Sequence, residues 1–532
     1  MKSRSKSKKL NIVFWMSAAT VLFFVVLGIV FPKGFANGAE TAYQFTTKNF
    51  GWFYLLSVLA MVIFGLYMAF SKFGKIRLGG DEEKPQFRTF TWIAMLFSCG
   101  LGISLVFYGV GEPMTHFFNP PSDGITPQSS EAARVAMGQA FFHYGLSMWA
   151  IFAVVGLAIA YFQFRKKKDG LISTSLEPLI PKNGKSQSVK NTINILAIVA
   201  TVMGVATSVG MGVLQTNGGL NAVFNTPINF WVQFAIIAIM TVFFLLSSTS
   251  GLNKGIKWVS NANLALAILL MVFVFFAGPT VFIMETFTVA IGDYISNFIS
   301  YSLNMTPYSG EHWVHEWTIF YWAWTIAWSP FVGAFFARIS RGRTIREFII
   351  GVMVAPALLS MMWMAVFGGT SLYMDLFKGS NIATVTNNDI TLAIFTLFET
   401  LPITEILSVV TIILIFMFLI TSADSAAYIL SSMSENGSTN PPIGMRIVWG
   451  VLVSSIALVL LSTSGLTGLQ SASLVAALPF TVIIVFMMIS LVKVVSKEVA
   501  PKAEKQKVKV KEKQVKPVKV GIKKKKEDAV SI

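Results

Sequence analysis

The chain is 532 residues long, 54% hydrophobic and only 13% charged, with a formal net charge of +17. Soluble globular proteins carry about 25% charged residues, so half that share, with long apolar runs, excludes a soluble domain and indicates an integral membrane protein. The single cysteine, Cys99, excludes an internal disulfide and any multi-cysteine metal site, and it reads as an inert buried thiol.

About 20 mostly apolar residues cross the hydrocarbon core of a bilayer. Twelve stretches qualify, near 10–31, 51–71, 90–110, 134–162, 192–216, 228–248, 258–288, 317–338, 345–374, 402–432, 442–463 and 470–494. The fold class expected is all-α, with residues 1–9 as a basic leader, 10–495 as the helical body and 496–532 as a Lys-rich tail. The first run is longer than the apolar core of a signal peptide, about 7–15 residues, and reads as the first transmembrane helix. Short amphipathic helices are expected near 291–303 and 390–399.

Lys and Arg set the orientation of membrane helices. Basic residues follow spans 2, 4, 6 and 8 (Lys72, Lys75 and Arg77; the run 165–168; Lys254 and Lys257; Arg338, Arg341, Arg343 and Arg346). The alternate loops carry Glu112, Asp123, Asp293, Glu311, Asp375 and Asp389 instead. Every second loop is positive, which predicts both termini in the cytoplasm of a cell-membrane protein. The positive charge is therefore a topology signal and implies no nucleic acid partner. Thirteen Lys lie between Lys497 and Lys526. Such a tail is either solvated and disordered or a segment that binds anionic lipid, at about 1 kcal/mol per Lys near the surface.

Residues 317–330, WTIFYWAWTIAWSP, hold four of the thirteen tryptophans. At about 100° per residue, Trp317, Tyr321, Trp324 and Trp328 share one helix face about 16 Å long, and Phe331 continues it. Trp322 points elsewhere. An interfacial belt explains Trp313 and Trp317 better than Trp328, because belts gather near helix ends. Two readings remain: packing against neighbouring helices, or a cage for a cation, worth about 2 kcal/mol or more per desolvated contact. A second patch, Phe141, Tyr144, Met148 and Phe152 with Trp149 at its margin, lies in the fourth span. His143 there reads as packed and hydrogen-bonded, with a proton relay as the alternative.

The third span contains SCGLGISLVFYGVGEP at 98–113. Gly100 and Gly102 let the backbone open where it lines a cavity, as interrupted transporter helices do; Gly100, Gly102, Gly109 and Gly111 also suit close helix packing. In the tenth span, Thr421, Ser422 and Ser425 supply hydroxyls and Asp424 a carboxylate. An intramembrane acid suggests function, and oxygen ligands suit a hard cation such as Na⁺; hydroxyls bonding back to their own helix are the alternative. Catalysis lacks candidates, since the sequence displays no nucleophile elbow, phosphate loop or His/Asp/Glu cluster. Glu112 and Glu285 read as isolated helix-end or packed acids. An enzyme is therefore not expected.

The stretch WTIFYWAWTIAWSPFVGAFFARISRGRTIREF at 317–348 closely resembles the signature of the betaine/choline/carnitine transporter family. GLGISLVFYGVGEP, the 141–152 patch, STSGLNKGIKWVSN at 248–261 and ITSADSA at 420–426 resemble family segments in the expected order. The resemblance covers residues 10 to about 495 and implies a twelve-helix carrier in which spans 3–7 and 8–12 form a five-plus-five inverted repeat. It implies uptake of a quaternary ammonium compatible solute of betaine, carnitine or choline type, commonly coupled to Na⁺. It also implies a homotrimer, osmotic control through a basic tail in some members, and no organic cofactor.

The same resemblance assigns the site. Substrate contacts are expected from Trp324, Trp328, Tyr321, Thr325, Tyr144, Trp149, Phe152, Leu101 and Ser104. Trp324, Trp328 and Trp149 match family aromatics, whereas Thr325 and Tyr144 stand where Trp is usual and Phe152 where Tyr is usual, so the cage is partly remodelled. Ser104 stands where choline carriers tend to have Asp. One Na⁺ site would use Thr421 and Ser422 with carbonyls of Ser98, Leu101 and Phe418. A second would use Thr201 and Phe331, with Val205 where another Thr is usual. No Lys or Arg occurs between Lys190 and Lys254 to stand in for the ion. A Na⁺-independent exchanger of carnitine-like solutes is the alternative; a channel and a membrane sensor are more distant ones.

Overall fold

The computed structural model describes residues 11–100, 102–122, 124–249, 253–308 and 312–499, with the backbone alone at 98–100, 248–249 and 253–260. The basic leader and nearly all of the Lys-rich tail lie outside the described residues, as do Leu101, Asp123 and Glu311. Within them the chain is all-α, with one isolated β-bridge, Arg77 to Thr344. Among the described residues nine helices are long and apolar enough to cross a membrane, and two sharply bent pairs bring the number to eleven. The last, Ile443–Val499, is two helices merged across Gly465, whose φ of 58° and ψ of −138° break the helical path. Split there, the count among the described residues comes to twelve, the number read from the sequence.

Local signals explain several boundaries. Asn11 caps Ile12–Val30 by accepting from the Val13 amide. Pro32 then opens Pro32–Phe70, a position where its missing N–H costs nothing. The second helix thus starts nineteen residues before the apolar run at 51, because nothing in 33–50 stops it. Thr344 and Glu347 form a reciprocal capping box at the start of Ile345–Lys378, and Gly379, at φ 68°, ends it.

One boundary corrects the sequence reading. The seventh span, expected to reach 288, stops at Ala277. Gly278 and Pro279 follow, and the chain turns by 109° into Thr280–Ser302. Proline disfavours helical conformation in the residue before it and lacks an amide to donate. The amphipathic helix expected at 291–303 is therefore longer, 23 residues.

Burial separates an inner shell from a lipid-facing one. The best apolar windows of Ser130–Arg165, Ser186–Phe224 and His315–Ile339 are 94%, 83% and 89% buried, against 33% for Ile12–Val30 and 22% for Phe230–Ser247. The outer helices present Phe23, Phe31, Trp231 and Leu246 outward, as a bilayer-facing surface requires.

The basic loops meet at one end. Arg77 donates to the Gly342 carbonyl at 2.9 Å, and Arg346 to Ala69 at 2.9 Å. Arg165 and Lys166 hold Glu498 at the foot of the last helix. At the other end Arg134 pairs with Asp293 at 2.7 Å, and Asn119 with Asn387 at 2.7 Å.

Candidate functional site

The aromatic helix begins with a π-turn, His315–Ile319, and continues as Phe320–Ile339. The 4, 3, 4 spacing gives one continuous ring column. Centroids are 6.3 Å apart for Trp317–Tyr321, 6.3 Å for Tyr321–Trp324, 6.4 Å for Trp324–Trp328 and 5.6 Å for Trp328–Phe331. Tyr321, Trp324, Trp328 and Phe331 are all buried inside the protein, so none faces lipid. Trp322 points away and packs on Phe142. Trp324 Nε1 donates to Ser208 Oγ at 3.2 Å. Trp328 Nε1 is buried with no hydrogen-bond partner among the described residues.

The other expected substrate contacts divide. Tyr144 joins the column, its ring 5.5 Å from Tyr321 and its hydroxyl donating to the Ser104 carbonyl at 3.3 Å. Thr325 turns back to its own helix, donating to the Tyr321 carbonyl at 2.7 Å. Trp149 and Phe152 pack on each other and on Phe336, beyond Phe331 on the aromatic helix; Trp149 stacks on Phe336 with planes 7° apart. Their ring contacts are thus with Phe336 and not with Trp324 or Trp328.

The third span is broken, with Thr89–Phe97 and Gly102–Phe118 inclined at 63°. Three successive carbonyls past the break accept side-chain donors from three helices: Ser104 from Tyr144, Leu105 from Trp363 Nε1 at 2.8 Å, and Val106 from Gln215 Nε2 at 3.0 Å. Gly102 meets Phe418 so closely that an added Cβ would lie 2.3 Å from the ring. The break therefore abuts the Phe418–Ser422 turn. Thr421 Oγ1 donates to the Met417 and Phe418 carbonyls at 3.0 and 3.2 Å and keeps its lone pairs for another partner. Hydroxyl and carbonyl oxygens of this kind suit Na⁺. Leu101, expected at the same site, lies outside the described residues, and Ser98, expected there through its carbonyl, is described by its backbone alone, in the last turn of Thr89–Gly100. For the second site, Thr201 donates to Ala197 at 2.7 Å within its own helix. Phe331 packs on Trp328, and Gly204 brings the Thr201 helix against the backbone of Ala327 and Trp328.

The sequence reading treated Glu112 as isolated, and the structure corrects this. Glu112, His116 and His143 are fully buried together. His143 Nδ1 lies 2.6 Å from Glu112 Oε1, and its Nε2 lies 2.9 Å from Thr318 Oγ1. Tyr321, from the aromatic column, donates its hydroxyl to Glu112 Oε2. The His143 ring also stacks on Tyr321 at 4.7 Å. Glu112 and His143 are 31 residues apart in the chain, so no local pattern joins them; only the i, i+4 spacing of Glu112 and His116 was available.

A family model, "BCCT, betaine/carnitine/choline family transporter", matches residues 12–500. The chain belongs to this transporter family. It is a multi-pass membrane transporter and not an enzyme. Its similar relatives include an ectoine/hydroxyectoine transporter of Virgibacillus pantothenticus, 55% identical over 93% of this chain and 98% of the relative. A glycine betaine transporter of Bacillus subtilis is 46% identical, over 92% of this chain and 95% of the relative. A high-affinity choline transport protein of Escherichia coli is 36% identical, over 92% of this chain and 73% of the relative.

Proposed function

We propose that this transporter takes up a compact zwitterionic compatible solute together with Na⁺, through the aromatic column of residues 321–331. The observation that carries the reading is that column: electron-rich rings, buried in the protein interior, in a chain 55% identical to an ectoine/hydroxyectoine transporter. Ectoine carries its positive charge on a flat amidinium and glycine betaine on a trimethylated nitrogen, and each pairs it with a carboxylate. Aromatic faces attract both kinds of cation. The unpartnered Trp328 N–H is a donor available to the carboxylate. The amidinium extends the class expected from the sequence alone beyond quaternary ammonium.

Na⁺ would be held by Thr421, Ser422 and the Phe418 carbonyl where the broken helix meets them. Its charge stabilises the form that accepts the solute. Each Na⁺ entering down 100 mV supplies about 2.3 kcal/mol. Rocking of helix sets then exposes the site to either side. We place the end where the basic loops meet in the cytoplasm, with the chain in the cell membrane and the Lys-rich tail there available to anionic lipid, and we propose the homotrimer that the family resemblance implies.

The test is uptake of labelled ectoine, glycine betaine, choline and carnitine into vesicles with Na⁺ or K⁺ outside. Ectoine and betaine should accumulate, and only with Na⁺. Accumulation of none of the four overturns the substrate class; uptake unchanged by K⁺ replaces Na⁺ coupling with exchange.

A further inference from the structure

The transport reading leaves the Glu112 cluster unused, and its contacts favour one arrangement of its protons. Trp313 Nε1–H donates to His116 Nδ1 at 3.3 Å, which leaves the proton of neutral His116 on Nε2, 3.5 Å from Glu112 Oε1. The three residues could each offer an atom to a metal, all within 4.8 Å of one another. A proton on Nε2, however, occupies the lone pair that a metal needs. His143 Nδ1 lies 2.6 Å from the same carboxylate oxygen, so beside an ionised Glu112 it is the nitrogen that donates.

The remaining nitrogen, His143 Nε2, faces the Thr318 hydroxyl at 2.9 Å. A hydroxyl both donates and accepts. It donates to neutral His143, and it accepts from His143 once that ring has gained a proton. The cluster therefore takes up or releases a proton without losing a hydrogen bond. Charge balance favours the bound form, because a buried charge is costly unless paired. With both histidines neutral, Glu112 is a buried anion whose ion-pair partners among the described residues are those same two rings. One added proton makes the cluster neutral.

We propose that Glu112, His143 and His116 form a proton-binding site, and that Tyr321 carries its occupancy to the aromatic column. Tyr321 is the link because its hydroxyl bonds Glu112 Oε2 while its ring touches Trp317 and Trp324. The ionisable groups facing Glu112 are His116 and Tyr108 from its own helix, His143 and Tyr144 from Ser130–Tyr144, and Tyr321. His312, His315 and Glu316 lie next, at the start of the aromatic helix. On the other packed elements, Arg134 pairs with Asp293, Asp375 accepts from the Ile382 and Ala383 amides, and Asp389 accepts from Thr391, while Glu131, Lys378, Glu399 and Glu405 stand in the end turns of their helices.

Tryptophan fluorescence tests this without substrate. The rings of Trp313 and Trp317 lie 4.9 and 4.4 Å from that of His116 and report its surroundings. The purified full chain, scanned from about pH 5 to about pH 9, should show a one-proton transition that Glu112→Gln abolishes and that His312→Gln and His315→Gln leave in place. Thr318→Val keeps the shape and removes the oxygen that the protonated ring needs, so the midpoint should move to lower pH by about one unit. A wild-type transition in Glu112→Gln, or an unmoved midpoint in Thr318→Val, overturns the site. If Glu112→Gln does not fold, the near-isosteric Thr318→Val decides alone. The pH profile of uptake should move with the Thr318→Val midpoint. A profile that stays put while the fluorescence moves overturns the link through Tyr321 and leaves the transport reading standing.

Discussion

Gly102→Ala probes the contact between the broken helix and the proposed ion site. The new Cβ would stand 2.3 Å from Phe418 Cδ1 and Cε1 and 2.7 Å from Cζ. Carbon atoms rest about 3.5–4.0 Å apart, so the ring must withdraw by more than about 1 Å. Phe418 is buried, and overpacking of this kind costs about 1–3 kcal/mol. The same residue supplies a carbonyl to Thr421, so movement of its ring disturbs the oxygens proposed for Na⁺. If the ion-bound form carries that strain, the Na⁺ concentration for half-maximal uptake rises roughly 5- to 150-fold, at about 1.4 kcal/mol per decade. The assay is initial uptake against Na⁺ at fixed solute, followed by the solute KM at saturating Na⁺, which should change little. An unchanged Na⁺ dependence with lowered thermal stability would refute the reasoning and leave Gly102 a packing residue alone.

Three further outcomes are expected. Trp328→Leu should raise the solute KM roughly 30-fold, from about 2 kcal/mol of lost cation–π attraction, in protein that still inserts; a KM within twofold of wild type would return the ring to packing. Tyr54→Phe removes a buried 2.7 Å hydrogen bond to the Leu474 carbonyl and should cost about 1 kcal/mol, read as a lower Tm with KM preserved. Gly465→Ala puts a side chain at φ 58°, ψ −138°, and should destabilise by about 1–3 kcal/mol; an unmoved Tm would mean that the turn relaxes.

What the sequence made legible follows from periodicity. The aromatic column was visible because helical spacing is local, and Trp317, Tyr321, Trp324 and Trp328 do lie ring to ring. The third-span glycines carried both of their readings: the helix bends by 63°, and Gly102 and Gly109 are crowded by Phe418 and Trp363. Hydropathy alone misled at 278–288, where apolar residues continue past a Gly-Pro break that turns the chain. Long-range pairing was invisible. Nothing in the spacing shows Glu112 meeting His143, or Trp149 and Phe152 packing on Phe336 rather than on the column.

The helix after that break, Thr280–Ser302, acts as a crossbar. Its Tyr294 hydroxyl accepts the Leu146 amide freed where the fourth span is interrupted at Gly145, and its Asp293 clasps Arg134. Its other side lies against the ninth span, with Phe282 on Tyr373 and Phe377. It thus yokes a helix of the earlier half of the carrier to one of the later half. If helix sets rock as proposed, a stroke that swings one against the other would tow this bar along or unhook it from one anchor, and the cost of unhooking would then be a brake on turnover set far from the solute.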